Sequence, residues 1–365
     1  MHLALELALT ATRIAAPNPA VGCVLVSIDG DVIGSGHTQA VGGPHAEIMA
    51  LHDAAAQGRS VVGATAYVTL EPCSHHGRTG PCCDALIAAG IRKVVASIAD
   101  PNPLVAGQGF ERLRAAGVEV EIGAGAVQAR ELNIGFFSRM VRKTPWVRVK
   151  TAISLDGKTA LLNGVSQWIT SDAARTDGHA WRARAGAILT GVGTILEDDP
   201  RLDVRRVETP RQPPLVVIDS RLQTPSTAKI FMPGRPVWIY AAVPDEGKAA
   251  ALRAIGATVD FLPNAAGKVD LAAVLADLAR REVNELHVEA GHKLNGSLMR
   301  EGLVDEWLVY LAPKFIGEGL GIASNPHAAG SLSDLAGATA LQFHSVDRFG
   351  PDLRIVARVA GRDAF

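Results

Sequence analysis

The stretch EPCSHHGRTGPCC at 71–83 holds three of the chain's four cysteines and two of its eleven histidines. Upstream, PHAEIMAL at 44–51 places Glu47 two residues after His45. These residue types suit a catalytic zinc, which takes three protein ligands and keeps one position for water. His45, Cys73 and Cys82 make such a set, and Glu47 supplies a carboxylate that stays off the metal and moves protons. Two thiolates bring the ion near neutral charge while leaving it able to acidify water. A structural zinc held by Cys73 and Cys82 is the competing reading.

Residues i and i+2 do not share a helix face, so His45 and Glu47 reach one site only at a helix start, where the first turn fans outward. GGPHAE puts His45 there, and Pro81 puts Cys82 at the start of another helix. Helix N-termini favour negative charge and help hold thiolates deprotonated. The pattern follows the zinc deaminase signature H-x-E then P-C-x-x-C. It departs in its second half, where SHHGRTGP separates Cys73 from Cys82. That inserted loop lies where a substrate would, so His75 and His76 are expected as substrate contacts, with extra metal ligation as the alternative. Cys83 points about 100° away from Cys82 around the helix and is expected to pack. Cys23 sits in a strand and is expected in the core, and His52 has no role.

The elements that carry these residues alternate. Leu3, Leu7, Ala11 and Ile14 recur at helical spacing and predict an amphipathic first helix instead of a signal peptide. Val21 to Ile28 reads as a strand, with Asp29-Gly30 as a hairpin turn. His45 to Gln57 reads as a helix with Ile48, Leu51 and Ala55 on one face. Strands are expected at 64–70 and 93–100, and a helix over 81–89. A long helix at 127–146 closes on Pro145, where the domain boundary is placed: 1–145 and 146–365. Beyond it, WVRVKTAISLDG, AGAILTGVGTIL, PPLVVIDSRL, RPVWIYA, NELHVEAG, EWLVYLAPKFIG and DLRIVARVAG read as strands of a second α/β domain.

That second domain shows no complete nucleotide motif. Gly191-x-Gly193 lacks the third glycine of a dinucleotide fingerprint, and GHKLNGS at 291–297 has Ser297 where a P-loop needs lysine. Arg182, Arg201, Arg205 and Arg206 near a glycine-rich turn suit an anion, since guanidinium forks match phosphate. Trp168 is a stacking platform or a core residue.

APNPAVGCVLV, PHAEIMAL, TAYVTLEPCSHHGRTGPCCDALI and ADPNPLVAGQG resemble the deaminase domain of the bifunctional deaminase/reductase family of riboflavin biosynthesis. VKTAISLDGKTA, GVSQWITS, ILTGVGTILEDDPRLDVR, VVIDS and HVEAG resemble its reductase half, in the same order along the chain. The resemblance implies an N-terminal three-layer cytidine-deaminase-like domain and a C-terminal dihydrofolate-reductase-like domain. It implies Zn2+ on His45, Cys73 and Cys82, with Glu47 as the proton-transfer residue. It implies NADPH contacts at Ala152, Trp168, Thr194, Asp198 and Ser220, and along the turn Gly291, His292, Lys293, Leu294, Asn295, Gly296 and Ser297. Substrate contacts are implied at Ser166, Arg182, Leu202, Arg205 and Glu289, with Arg182 and Arg205 on the 5-phosphate. Lys150 and Glu289 are the candidate proton donors for the reduction. The implied reactions are deamination of 2,5-diamino-6-(5-phosphoribosylamino)pyrimidin-4(3H)-one, then NADPH-dependent reduction of the ribosyl group to 5-amino-6-(5-phosphoribitylamino)uracil. A homo-oligomer is implied as well.

Composition narrows the alternatives. A chain of 365 residues exceeds one ordinary core and predicts two domains. A net charge of −1 gives no broad basic face, against a nucleic-acid deaminase with an appended binding domain. No run reaches the roughly 18 apolar residues of a membrane span, and four cysteines do not make a secreted disulfide scaffold. The cytoplasm is the expected compartment.

Overall fold

Small residues decide how the first helices meet the first sheet. The structure, a computed structural model, describes residues 1–75, 80–103, 105–327, 330 and 332–365. It divides into two compact units, Met1–Lys143 with Phe365, and Thr144–Ala364.

The first unit runs α1 (His2–Ala11), β1 (Gly22–Val26), β2 (Val32–His37), α2 (Ala46–Ala56), β3 (Thr65–Val68), α3 (Cys82–Ala88), β4 (Lys93–Ala96), α4 (Gln108–Ala115), β5 (Glu119–Ile122), α5 (Ala126–Leu132) and α6 (Ile134–Arg142). Its five strands order as β2-β1-β3-β4-β5. The β1–β2 and β1–β3 pairs are antiparallel, and β3–β4–β5 are parallel. The face of α1 that packs is Ala4, Ala8 and Ala11, while Leu3 is 42% exposed. The reason is Gly22 on β1: a Cβ there would lie 1.9 Å from the Ala4 carbonyl oxygen. Likewise α2 fully buries Ala46, Ala50 and Ala54; of the expected face, Leu51 packs half-buried against the core, Ile48 is half-buried and Ala55 is exposed. Gly34 and Gly36 of β2 lie so close that Cβ atoms would fall 2.3 and 2.4 Å from atoms of that helix. The expected helix over 127–146 is two helices broken at Asn133. That buried side chain accepts from the Ala20 N–H at 2.7 Å and donates back to the Ala20 carbonyl, a bond pair worth more than continuity.

The second unit runs β6 (Trp146–Ser154), β7 (Ala160–Leu161), α7 (Asp172–Arg184), β8 (Ala187–Gly191), α8 (Val192–Asp198), β9 (Leu215–Ile218), β10 (Val237–Ala241), α9 (Glu246–Ala254), β11 (Ala257–Phe261), α10 (Leu271–Arg280), β12 (Glu285–Val288), α11 (His292–Arg300), β13 (Glu306–Ala312), β14 (Gly319–Leu320), β15 (Leu341–Phe349) and β16 (Asp352–Val359). Nine strands order as β11-β10-β9-β8-β12-β6-β13-β16-β15, and β7 pairs with β14. The seven from β11 to β13 are parallel; β16 and β15 close the sheet antiparallel. AGAILTGVGTIL is strand only to Gly191 and then turns into α8. Five strands escaped the sequence reading, β5, β11, β15 and the short β7–β14 pair, because each is short or lies exposed at an edge. β15 exposes most of its residues to water, so it shows no clean apolar alternation.

The two faces of this sheet differ in kind. Val147, Val149, Leu286, Val288 and Trp307 point into an apolar core with α10. The alternate residues carry charge beneath α7. Fully buried Arg148 pairs with Glu285 and Glu306, Glu285 also pairs with Arg184, and Arg358 donates to Glu306. The Arg148 guanidinium lies 4.3 Å from the Trp181 ring centre.

Candidate active sites

In the first unit β3 delivers the chain to Glu71, Pro72 and Cys73. Glu71 is buried and accepts three backbone N–H bonds, from Asp100 at 3.1 Å, Gly107 at 2.9 Å and Gly109 at 2.9 Å. It therefore ties the 100–109 loop against the cysteine segment, a role the sequence did not suggest. His45 is the N-cap of α2 and Cys82 the first residue of α3. The Cys82 N–H donates to Cys73 Sγ at 3.3 Å.

The expected ligands converge. His45 Nδ1 lies 3.6 Å from Cys73 Sγ and 3.4 Å from Cys82 Sγ, and the three ligand atoms lie within 4.8 Å of one another. A zinc tetrahedron with Zn–N of about 2.05 Å and Zn–S of about 2.3 Å has N···S edges of roughly 3.5 Å. The donor set fits zinc in chemistry and spacing. Glu47 is 4% exposed in the first turn of α2, within hydrogen-bonding reach of Cys82. Burial, then the Cys73 charge, push its carboxyl up to about 7. The Cys82 hydrogen bond holds Cys73 down at about 4, while the same bond and burial push Cys82 up. The pair shares a proton that a metal would displace. Cys83 and Cys23 sit in the core, as expected. His52 is exposed. His75 is exposed, and His76 lies outside the described residues.

In the second unit the C-terminal ends of the parallel strands open onto a cavity of about 520 Å³, the place where open α/β sheets bind ligands. Ser166, Arg182, Leu202, Arg205, Glu289 and Lys150 all line it. So do Ala152, Trp168, Thr194, Asp198, Gly291, His292 and Asn295. Ser220, Lys293, Leu294, Gly296 and Ser297 do not. The segment 291–297 is the N-cap and first turns of α11, so only one side of it faces the cavity. Gly296 faces away: a Cβ there would stand 1.8 Å from the Ser324 carbonyl oxygen. Two features fit a polar cofactor. Among the described residues Asn295 Oδ1 is buried without a partner, and a Cβ on Gly291 would meet nothing closer than Thr194 Oγ1 at 4.0 Å.

Arg182 lines the cavity yet is largely committed within the protein. Its Nε and Nη2 donate to the two Glu289 oxygens and its Nη1 to the Asp203 carbonyl. Three of its five N–H groups are thus committed within the protein. Burial disfavours charge on Glu289, but Arg182 and Lys150 overcome it and hold the carboxyl well below the usual range. Lys150 Nζ lies 3.7 Å from Glu289 Oε2, and burial lowers its pKa. Arg201 and Arg205 pair with buried Asp203, and Arg206 with Asp172, yet all three also line the cavity. Arg175 stacks 4.4 Å above the Trp168 ring, which is 60% exposed. His179 lines the cavity too. The sequence signal for it was there: it stands three residues before Arg182 on α7, hence on the same helix face.

The RibD C-terminal domain model matches residues 145–355, and the cytidine and deoxycytidylate deaminase zinc-binding region matches 1–98. The chain belongs to the RibD family. The riboflavin biosynthesis protein RibD of Escherichia coli is 44% identical over 97% of this chain and 96% of its own length. That of Aquifex aeolicus is 43% identical over 88% of each. Among solved structures, RibD of Acinetobacter baumannii superposes with TM-score 0.87 at 38% identity, covering 98% of this chain and 97% of that one. A Thermotoga maritima protein does so with TM-score 0.86 at 32% identity, covering 99% and 97%. Its title describes a diaminohydroxyphosphoribosylaminopyrimidine deaminase/5-amino-6-(5-phosphoribosylamino)uracil reductase. This RibD family member is accordingly a bifunctional enzyme of riboflavin biosynthesis. A cytidine-deaminase-like zinc domain is followed by an NADPH-dependent reductase domain of dihydrofolate-reductase-like fold.

Proposed function

We propose that each half-reaction is carried by the residues that converge above. The substrate is 2,5-diamino-6-(5-phosphoribosylamino)pyrimidin-4(3H)-one and the product 5-amino-6-(5-phosphoribitylamino)uracil. His45, Cys73 and Cys82 hold the zinc, which when bound supplies the Lewis acidity that makes water nucleophilic at neutral pH. Glu47 takes a proton from that water as it attacks the carbon bearing the amine, and returns protons to the nitrogen that leaves as ammonia. The observation that carries this reading is the pair of N···S separations, 3.6 and 3.4 Å, in a group that also includes a buried carboxylate.

In the second unit NADPH, when bound, supplies a hydride to the ribosyl C1 carbon. Arg205, with Arg201 and Arg206, meets the 5-phosphate, while Arg182 and Glu289 form a fixed wall that orients the sugar. Lys150 delivers the proton to the ring oxygen as the sugar opens. Its ammonium lines the cavity and is depressed by burial, whereas Glu289 is held without a proton. Ala152, Trp168, Thr194, Asp198, Gly291, His292 and Asn295 are placed for the cofactor.

Purified protein incubated with the diaminopyrimidinone phosphoriboside should add about one mass unit without NADPH, and two more once it is added. Loss of the first change, or a second that ignores NADPH, overturns the reading. The protein acts on a small molecule in the cytoplasm, without nucleic acid or membrane, as a homo-oligomer. Supporting this are the net charge of −1, four free cysteines, the lack of any described helix long and apolar enough to cross a membrane, and the exposed Phe343 and Val346 on edge strand β15.

A further inference from the structure

His179 lies on α7, one turn before Arg182, and is only 5% exposed. Its Nδ1 is the acceptor for the backbone N–H of Arg205 at 3.2 Å. A backbone N–H only donates, so Nδ1 carries no proton and the ring hydrogen sits on Nε2. Among the described residues Nε2 has no hydrogen-bond partner, and the residue lines the cavity together with Arg182 and Arg205. Burial, reinforced by these two guanidinium groups, holds the imidazole down at about 4, so it is neutral at physiological pH. The chain has thus fixed a single tautomer and left its one donor without a protein acceptor.

We propose that His179 is a substrate-binding residue of the reductase: Nδ1 fixes the Arg205 backbone, and the Nε2–H donates to the phosphate of the phosphoribosyl substrate. The inference rests on the placement of the phosphate at Arg205 given above. A neutral donor there adds a directed hydrogen bond where further cations would repel Arg205 and Arg201. It also ties the position of the clamp to the group that reads its ligand, since one ring touches both.

The two nitrogens are separable by substitution. His179→Asn puts an amide oxygen near the Nδ1 position but falls short of Nε2, whereas His179→Gln extends an amide nitrogen to Nε2. In the reductase assay with deaminated phosphoriboside, the Asn variant should raise KM about tenfold, the usual weight of one hydrogen bond to a charged group. kcat should change by less than about threefold and the NADPH dissociation constant should hold, which shows that the unit is folded. The Gln variant should recover most of the loss. With the dephosphorylated riboside the Asn variant should match the unsubstituted protein. A KM unchanged in the Asn variant, a Gln variant no better than Asn, or a loss that persists with the riboside each overturns the inference. Arg205→Ala is run alongside. If it too leaves KM unchanged, the phosphate placement itself has failed; if it raises KM while Asn does not, only the role of His179 has.

Discussion

The deaminase and reductase sites are built by opposite routes. The candidate zinc site draws His45, Glu47, Cys73 and Cys82 from two short segments, 45–47 and 73–82, with His45 and Cys82 each at a helix start. The reductase cavity draws on residues from Lys150 to Leu320, most of them brought together at the ends of β6, β8 and β12 and by α7. The first site sits on close alanine–glycine packing, the second on a layer of buried charge beneath α7. A metal site needs a few atoms at short fixed distances, which local chain geometry provides. A large polar substrate with a nucleotide cofactor needs a wide surface, which only a long sheet provides.

That contrast can be broken first at the zinc. Cys82→Ser should lose zinc and all measurable ammonia release, since metal binding by such a site requires the thiolate, while reduction of deaminated substrate continues at its normal rate. Glu47→Gln should keep about one equivalent of zinc by metal analysis yet slow deamination by about 10²–10⁴-fold. Equal losses of reduction in either variant would show that the two sites are not independent.

The buried charge layer gives the next largest effect. Glu306→Gln leaves Arg148 and Arg358 short of a partner and should cost about 3–5 kcal/mol. All five tryptophans, from Trp146 to Trp307, lie in the second unit, so their fluorescence follows that unit alone. Acid should act on the same layer. Burial alone would raise Glu285, but Arg184 and Arg148 overcome it and hold its carboxyl down at about 2. The folded value lies below the ordinary one of about 4.3, so its contribution is complete at neutral pH and is lost as pH falls from about 5 towards 2. The tryptophan transition should move to lower temperature across that window.

Gly36→Ala sharpens the contrast from the other side. Its Cβ would stand 2.4 Å from Met49 Cβ and 2.7 Å from the Ala50 nitrogen, so α2 must shift with His45 and Glu47. The expected cost is about 1–3 kcal/mol, read as earlier zinc loss to a chelator with no change in tryptophan fluorescence. Arg205→Ala should have the smallest effect, about tenfold in KM for the phosphorylated substrate.

How far each site was legible follows from the same contrast. His45, Glu47, Cys73 and Cys82 were readable because ligand spacing is written along the chain. Glu71 was not, because its three backbone partners come from residues 100–109. Substrate-side residues such as Ser166 and Glu289 were named by resemblance, and the spacing of single residues offered no ground for them. His179 stood in plain view beside Arg182, but nothing local says that its ring faces a cavity. The packing faces of α1 and α2 were misjudged because leucine and isoleucine outweigh alanine in a periodicity count. The deciding feature was a glycine on the opposing strand.

The sequence by itself determined most of the alternation of strands and helices, the His45, Cys73 and Cys82 set that converges and the order of the two halves, since these depend on local spacing and side-chain chemistry. The tertiary structure alone decided that Arg182 is spent on Glu289, that alanine faces pack the first helices, and that part of 291–297 turns from the cavity. Each of those depends on which distant atoms lie within a few ångströms, and that distance is set by the sheet, whose register no single segment encodes.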